Sequence, residues 1–358
     1  MRRLAAVAGL AAIALAIPAP VAAHGLVGRL NSPLPLAVYL AGAAAAVALS
    51  FVFVILRDIR AAADPPVRSL SVPRPVVVGL RALGLFGWLW IVAQAVVGGA
   101  SDADVGSLFL WVYGWVGIAI LSAFVGPVWT WLDPFTTLFD LGAALLRRLR
   151  VEPWAPAPYP ARLGAWPAVA GLTVVIWLEL VYRGGPLGMI LVAYTLLTLA
   201  MMAQFGRDRW RANGETFSAW FGTLNRLAPL GAPRGPDDRV VPRRPFAAGL
   251  LEPGWTTAHV ALVAIGTASI LYDGLSQTRP WFDLFGLPSL PLATVQLLAF
   301  LGLVVALALG VARLVGRGAV AAGLVPIAIG YLIAHYLTYL LGDGQRIVVA
   351  ISDPLQLG

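Results

Sequence analysis

The sequence predicts an all-α fold: a polytopic helical membrane bundle of about eight transmembrane helices after an N-terminal signal peptide. Three observations carry this. The 358 residues are 59% hydrophobic and only 12% charged, with a mean hydropathy of +0.83, and soluble domains carry about twice that charge. Apolar runs of about 20 residues, enough for ~30 Å of hydrocarbon, recur along the chain. All 25 basic residues are arginines, and they sit between those runs. The net charge of +8 therefore reads as a topology signal, and the short basic segments give nucleic-acid binding no support. The chain has no cysteine, which excludes a disulfide framework, a thiolate metal site, a Cys nucleophile and c-type haem.

Residues 1–23 read as the signal peptide. Arg2 and Arg3 form its charged start, Leu4 to Ile17 its apolar run, and Val21-Ala22-Ala23 its small-residue cleavage site. An uncleaved anchor is the alternative. Either way His24 lies outside the cytoplasm, and residues 24–358 form a single integral membrane helical domain. Eight spans follow, over about 36–56, 76–97, 108–128, 166–182, 187–204, 255–272, 290–315 and 319–341. With His24 outside, 18 arginines fall in cytoplasmic segments and 4 outside (Arg29, Arg183, Arg279 and Arg346). The positive-inside rule then makes this a multi-pass protein of the cell membrane with both mature termini extracytoplasmic and the lipid bilayer as its partner.

Two cytoplasmic segments are expected to lie in the membrane interface as helices. The first opens at Asp133-Pro134, an N-cap followed by proline, and ends in Arg147, Arg148 and Arg150, which suit the helix dipole. The second carries Phe217, Trp220, Phe221, Leu224 and Leu227 as one apolar stripe. Pro-rich linkers follow each region, at 151–164 and 232–245.

Polar groups inside spans are the natural places for chemistry. His259, beside Thr256 and Thr257, reads as a hydrogen-bonded structural residue. His335 sits in the outer third of the last span with Tyr331, Thr338 and Tyr339 at i−4, i+3 and i+4, a polar stripe expected to face the bundle interior. It is either an interhelical hydrogen-bonded residue or a ligand or proton-transfer group. Asp273 ends the sixth span beside Ser276, Gln277 and Thr278, where turn chemistry and function are both open readings. Glu179 and Arg183 are spaced for an i,i+4 ion pair. Arg81 is close enough to its span end to snorkel. His24, with a free α-amine and its own imidazole, could chelate copper together with His335.

Several phrases together resemble a known family. The segment opens His24-Gly25-Leu26-Val27-Gly28-Arg29, and Gly214-Glu215-Thr216-Phe217 comes later, with Phe221-Gly222 and Leu227-Ala228-Pro229. Asp273-Gly274-Leu275-Ser276-Gln277-Thr278, Ala334-His335-Tyr336 and Ser352-Asp353-Pro354-Leu355 complete the pattern. It resembles bacterial polytopic membrane proteins sometimes named fenitrothion hydrolase. The resemblance implies hydrolysis of aryl organophosphorothioate triesters, hydrophobic small molecules that partition into lipid.

The residues themselves then suggest an outer-face site. His335 and Asp273 are the candidate catalytic groups. His24, His335, Asp273 and Asp353 are the candidate ligands for a divalent metal, copper or zinc, with Arg279 or Arg346 as partners for a phosphoryl oxygen. The competing function is non-enzymatic: a metal (copper)-handling or solute-transport component.

Overall fold

The computed structural model describes residues 68–97, 108–151, 155–182, 187–235 and 238–354. The signal segment, the expected span at 36–56 and His24 lie outside the described residues. The described chain is mostly helical. Five helices are long and apolar enough to cross a membrane: α1 (Arg74–Val97), α6 (Leu187–Phe205), α9 (Thr257–Ser276), α11 (Leu290–Val315) and α12 (Arg317–Gly342, apolar through Leu337). Two further apolar stretches are shorter. One is a π-helical run, Leu108–Gly117, continued by α2 (Ile118–Phe124); the other is α5 (Trp166–Leu180). These seven coincide with expected spans.

Helix α9 is the axis of the bundle. Its apolar window is 78% buried, against 17–33% for the other four long helices, and α5, α11 and α12 pack around it. Small side chains allow this close approach: Ala258, Ala261, Ala264, Ala268 and Ser269 are all buried. The outer helices leave large apolar side chains exposed, such as Leu83, Phe86, Leu303 and Leu307, as lipid contact requires.

The remaining helices are short: α3 (Val128–Leu132), α4 (Pro134–Arg148), α7 (Arg207–Asn213), α8 (Thr216–Leu224), α10 (Arg279–Phe285) and α13 (Ile347–Ser352). Helix α4 starts as expected. The Asp133 carboxylate accepts from the backbone N–H groups of Phe135 and Thr136 at 2.9 and 3.1 Å, and Arg147 and Arg148 occupy the last turn. Leu141, Leu145 and Leu149 are exposed along one side of it, a face suited to lipid.

Helix α8 corrects an expectation. Its stripe of Phe217, Trp220, Phe221 and Leu224 is buried inside protein, and so are Thr216 and Thr223 on its other side. A helix whose apolar stripe is covered by protein, with only the Ser218, Ala219 and Gly222 side left open, is a core helix. Two glycines seat it. A Cβ on Gly171 of α5 would stand 2.0 Å from Thr216 Oγ1, and one on Gly266 of α9 would stand 2.3 Å from the Trp220 ring.

Helices α4 and α8 are built alike. Each follows an apolar helix and a short helix, and each has an acidic N-cap with Phe two residues on and a hydroxyl three residues on: Asp133-Pro134-Phe135-Thr136 and Glu215-Thr216-Phe217-Ser218. Glu215 accepts from the N–H groups of Phe217 and Ser218 at 3.0 and 2.6 Å. The packing is reciprocal, α4 against α6 and α8 against α2. Tyr194 of α6 stands between the two, its ring 5.4 Å from Phe135 and 5.6 Å from Phe217. Both carboxylates are 1% exposed. Burial, with Glu215 close by, raises the Asp133 carboxyl from 3.8 to about 6.

This end of the bundle gathers the arginines. Arg81 and Arg207 both pair with Asp140, at 3.1 and 2.7 Å, and Arg211 pairs with Asp238 at 2.9 Å. Arg81 thus ends in an ion pair. A two-stranded antiparallel ribbon, absent from the sequence expectations, closes the same end. Strand β1 (Arg68–Ser71) pairs with β2 (Val240–Arg243), with Leu70 opposite Val241. His259 sits here as expected: its Nδ1 and the Thr256 hydroxyl lie 2.7 Å apart in a capping box that opens α9.

Candidate functional site

Helices α9 and α12 both run away from the arginines. A Cβ built on Gly318, at the start of α12, would stand 3.4 Å from Trp255 just before α9, and the two helices pack against each other. Parallel travel brings Asp273, in the last turns of α9, level with His335 in the last third of α12. His335 Nε2 lies 2.7 Å from Asp273 Oδ2. Asp273 Oδ1 accepts from Gln277 Nε2 at 2.8 Å, one turn on. The carboxylate is 8% exposed, a burial that only such partners make tolerable.

Facing an ionised Asp273, the imidazole has its donor fixed by the contact. An ionised carboxylate only accepts, so Nε2 carries the hydrogen and Nδ1 of the neutral ring keeps a lone pair. Among the described residues Nδ1 has no hydrogen-bond partner, and the side chain is 28% exposed. An oriented imidazole with an open basic nitrogen can take a proton.

The next residue on α12 makes a second pair. Tyr336 donates its hydroxyl to Glu179 Oε1 of α5 at 2.8 Å, and the His335 and Tyr336 rings meet edge to face at 4.6 Å. Consecutive positions on a helix point about 100° apart. Two neighbours on α12 therefore reach two different helices, and both carboxylates are buried within apolar surroundings.

Compared with protein-family models, curated proteins and solved structures, the chain matches none. The site is therefore read from its own residues. Of the expected set, the structure brings together His335 and Asp273. Asp353 closes α13, its N–H donating to Val349 O at 3.2 Å, and among the described residues no three His, Asp or Glu side chains gather as a metal site would need. His24 lies outside the described residues. Arg279 is 90% exposed and faces Asp283 at 3.9 Å, while Arg346 Nε pairs with Asp343 at 3.2 Å.

The expected polar stripe is only partly internal. Tyr331 is 41% exposed, on the outward side of α12, and the Thr338 side chain lies outside the described ones. Two contacts beside the pair were not named from the sequence. Gln277 was readable as Asp273 plus four residues. The Glu179 partner Tyr336 was not, because 157 residues separate them.

Proposed function

We propose that the protein is an integral membrane hydrolase with the His335–Asp273 pair as its acid–base centre. In this reading the arginine-rich end is cytoplasmic and the pair lies on the extracytoplasmic side of the cell membrane, where both mature termini also lie. The single observation that carries the proposal is the 2.7 Å contact between the imidazole and a buried, Gln277-held carboxylate. The sequence resemblance supplies the substrate class, neutral aryl organophosphorothioate triesters that reach the site through lipid.

The chemistry follows from the open nitrogen. Nδ1 of His335 takes a proton from water as the water oxygen bonds to phosphorus. Asp273 stabilises the imidazolium that forms. The phosphorus–aryloxy bond breaks, and the aryloxide leaves and recovers the proton from His335, giving a phenol and a thiophosphate diester acid. Copper or zinc would need at least one ligand beyond this pair, since such sites use three or four protein donors.

The test is nitrocresol release from fenitrothion by the purified full chain, alongside His335→Gln and Asp273→Asn. Both variants should lose at least about 100-fold in turnover, the usual scale of general-base catalysis. Equal turnover in wild type and both variants, or none in wild type, overturns the reading. Metal analysis of the same preparation tests the divalent ion.

A second reading, a solute- or metal-transport component, is favoured by one observation: the Glu179–Tyr336 pair beside the His335–Asp273 pair. Neighbouring acid–base pairs on three helices are what a proton path uses. Proton-coupled uptake into vesicles by a hydrolytically silent wild type would favour it.

A further inference from the structure

The arginine-rich end holds a cavity of about 480 Å³ that the hydrolase reading does not use. It opens between α7, α8 and the chain that follows them. Four guanidiniums line it, those of Arg207, Arg211, Arg226 and Arg244, against three carboxylates, Asp208, Asp238 and Glu252. Arg81 and Asp140 lie behind the wall and add one charge of each sign, so five cations face four anions.

The excess charge can be located. The Glu252 carboxylate is taken by Arg244 at 2.6 Å. Arg226 has no carboxylate partner among the described residues. It donates to the backbone carbonyls of Glu252 and Pro253 at 3.0 and 3.3 Å and stacks 3.9 Å from the Trp255 ring centre. Burial holds its guanidinium below the ordinary range; Glu252 opposes this, and nearby Arg244 adds to it. Two cations thus share one half-exposed carboxylate.

The wall also has donors to spare. A guanidinium has five N–H groups, and among the described residues Arg211 gives one of them, to Asp238. Ser122, 1% exposed and part of the same wall, has a hydroxyl without a hydrogen-bond partner among the described residues. The arginines are held in place by existing bonds, so a ligand would pay little ordering entropy to meet them.

We propose that this cavity binds a phosphate group. Forked, permanently charged guanidiniums match phosphate oxygens. The volume exceeds what the ion needs and leaves room for an organic remainder. That remainder is either a soluble phosphomonoester or the glycerol headgroup of an anionic phospholipid.

The test uses the full chain in phosphatidylcholine nanodiscs, with millimolar inorganic phosphate or glycerol 3-phosphate. A parallel set of discs contains phosphatidylglycerol. Gly222→Glu is the disabling variant. Gly222 lies on the cavity wall, and nothing stands within 4 Å of a Cβ built there, so the substitution adds a competing carboxylate and leaves every arginine in place. Gly222→Ala is its steric control. Wild type and Gly222→Ala should unfold about 2–4 °C higher with ligand, as a bound state should, and Gly222→Glu should lose that shift. A shift with the soluble phosphates assigns a phosphomonoester; a shift only in phosphatidylglycerol discs assigns the lipid headgroup. No shift in either arm, or an equal shift in Gly222→Glu, overturns the proposal.

Discussion

The two ends of the bundle handle charge in opposite ways. At the arginine-rich end the ion pairs overlap: Asp140 serves Arg81 and Arg207, and the two buried acids Asp133 and Glu215 spend their oxygens capping helices. At the other end two buried carboxylates, Asp273 and Glu179, each meet one side chain from α12. Redundant pairs hold a shape. An ionisable pair in apolar surroundings carries a larger desolvation cost, which is why intramembrane ionisable groups mark function. The contrast predicts that acids at the first end matter to stability and acids at the second to activity.

The largest effect should come from the steric seat between the ends. Gly266→Leu drives a side chain into the Trp220 ring, where a Cβ alone already stands at 2.3 Å. We expect it to yield no folded protein by size-exclusion chromatography, because overpacking against a fixed helix cannot be relieved. Recovery of a monodisperse variant with wild-type unfolding would show that α8 is not locked. Next comes Glu215→Ala, which strips two backbone caps and the Tyr194 hydroxyl of their acceptor. Denaturant titration should register a loss of roughly 2–4 kcal/mol.

Asp273→Asn sharpens the contrast. The amide can keep both hydrogen bonds once the imidazole switches tautomer, so stability should change by less than about 1 kcal/mol while turnover collapses. A stability loss as large as that of Glu215→Ala would erase the distinction between the ends. The smallest effect is a pH dependence. The Asp133 carboxyl is raised from 3.8 to about 6 in the fold, so between those values the folded chain holds a proton that the unfolded chain has released. Stability should therefore fall as pH rises from about 4 to 6, and Asp133→Asn should flatten that slope. A slope of opposite sign in the melting midpoint would contradict the shift.

Periodic and local features were legible in the sequence. The apolar runs marked the long helices, and Asp133-Pro134 marked the start of α4. The stripe of α8 was read correctly as a helix and wrongly as a surface, because helical periodicity shows that a face is buried without showing whether lipid or protein covers it. The β1–β2 ribbon left no trace: Arg68-Ser69-Leu70-Ser71 is too short for a strand pattern, and its partner lies about 170 residues away. At the site, Asp273 and His335 could be nominated because each is a polar group near the same end of an apolar span. The Glu179–Arg183 pair expected from local spacing has its arginine outside the described residues, and Tyr336 could be named as a partner of Glu179 only once α5 and α12 were side by side.

The burial of α8 also sets an order of manufacture. The helix is nine residues long, too short to enter a bilayer alone, and its largest side chain, Trp220, rests on a glycine that is synthesised 46 residues later. Its seat does not exist until α9 has left the ribosome. The arginine-rich end must therefore be completed after insertion of the surrounding helices, with the side of Trp220 that meets Gly266 uncovered until then. A nascent chain halted just before Gly266 would leave Trp220 without its seat, a piece of apolar surface of the kind that chaperones and quality-control proteases act on.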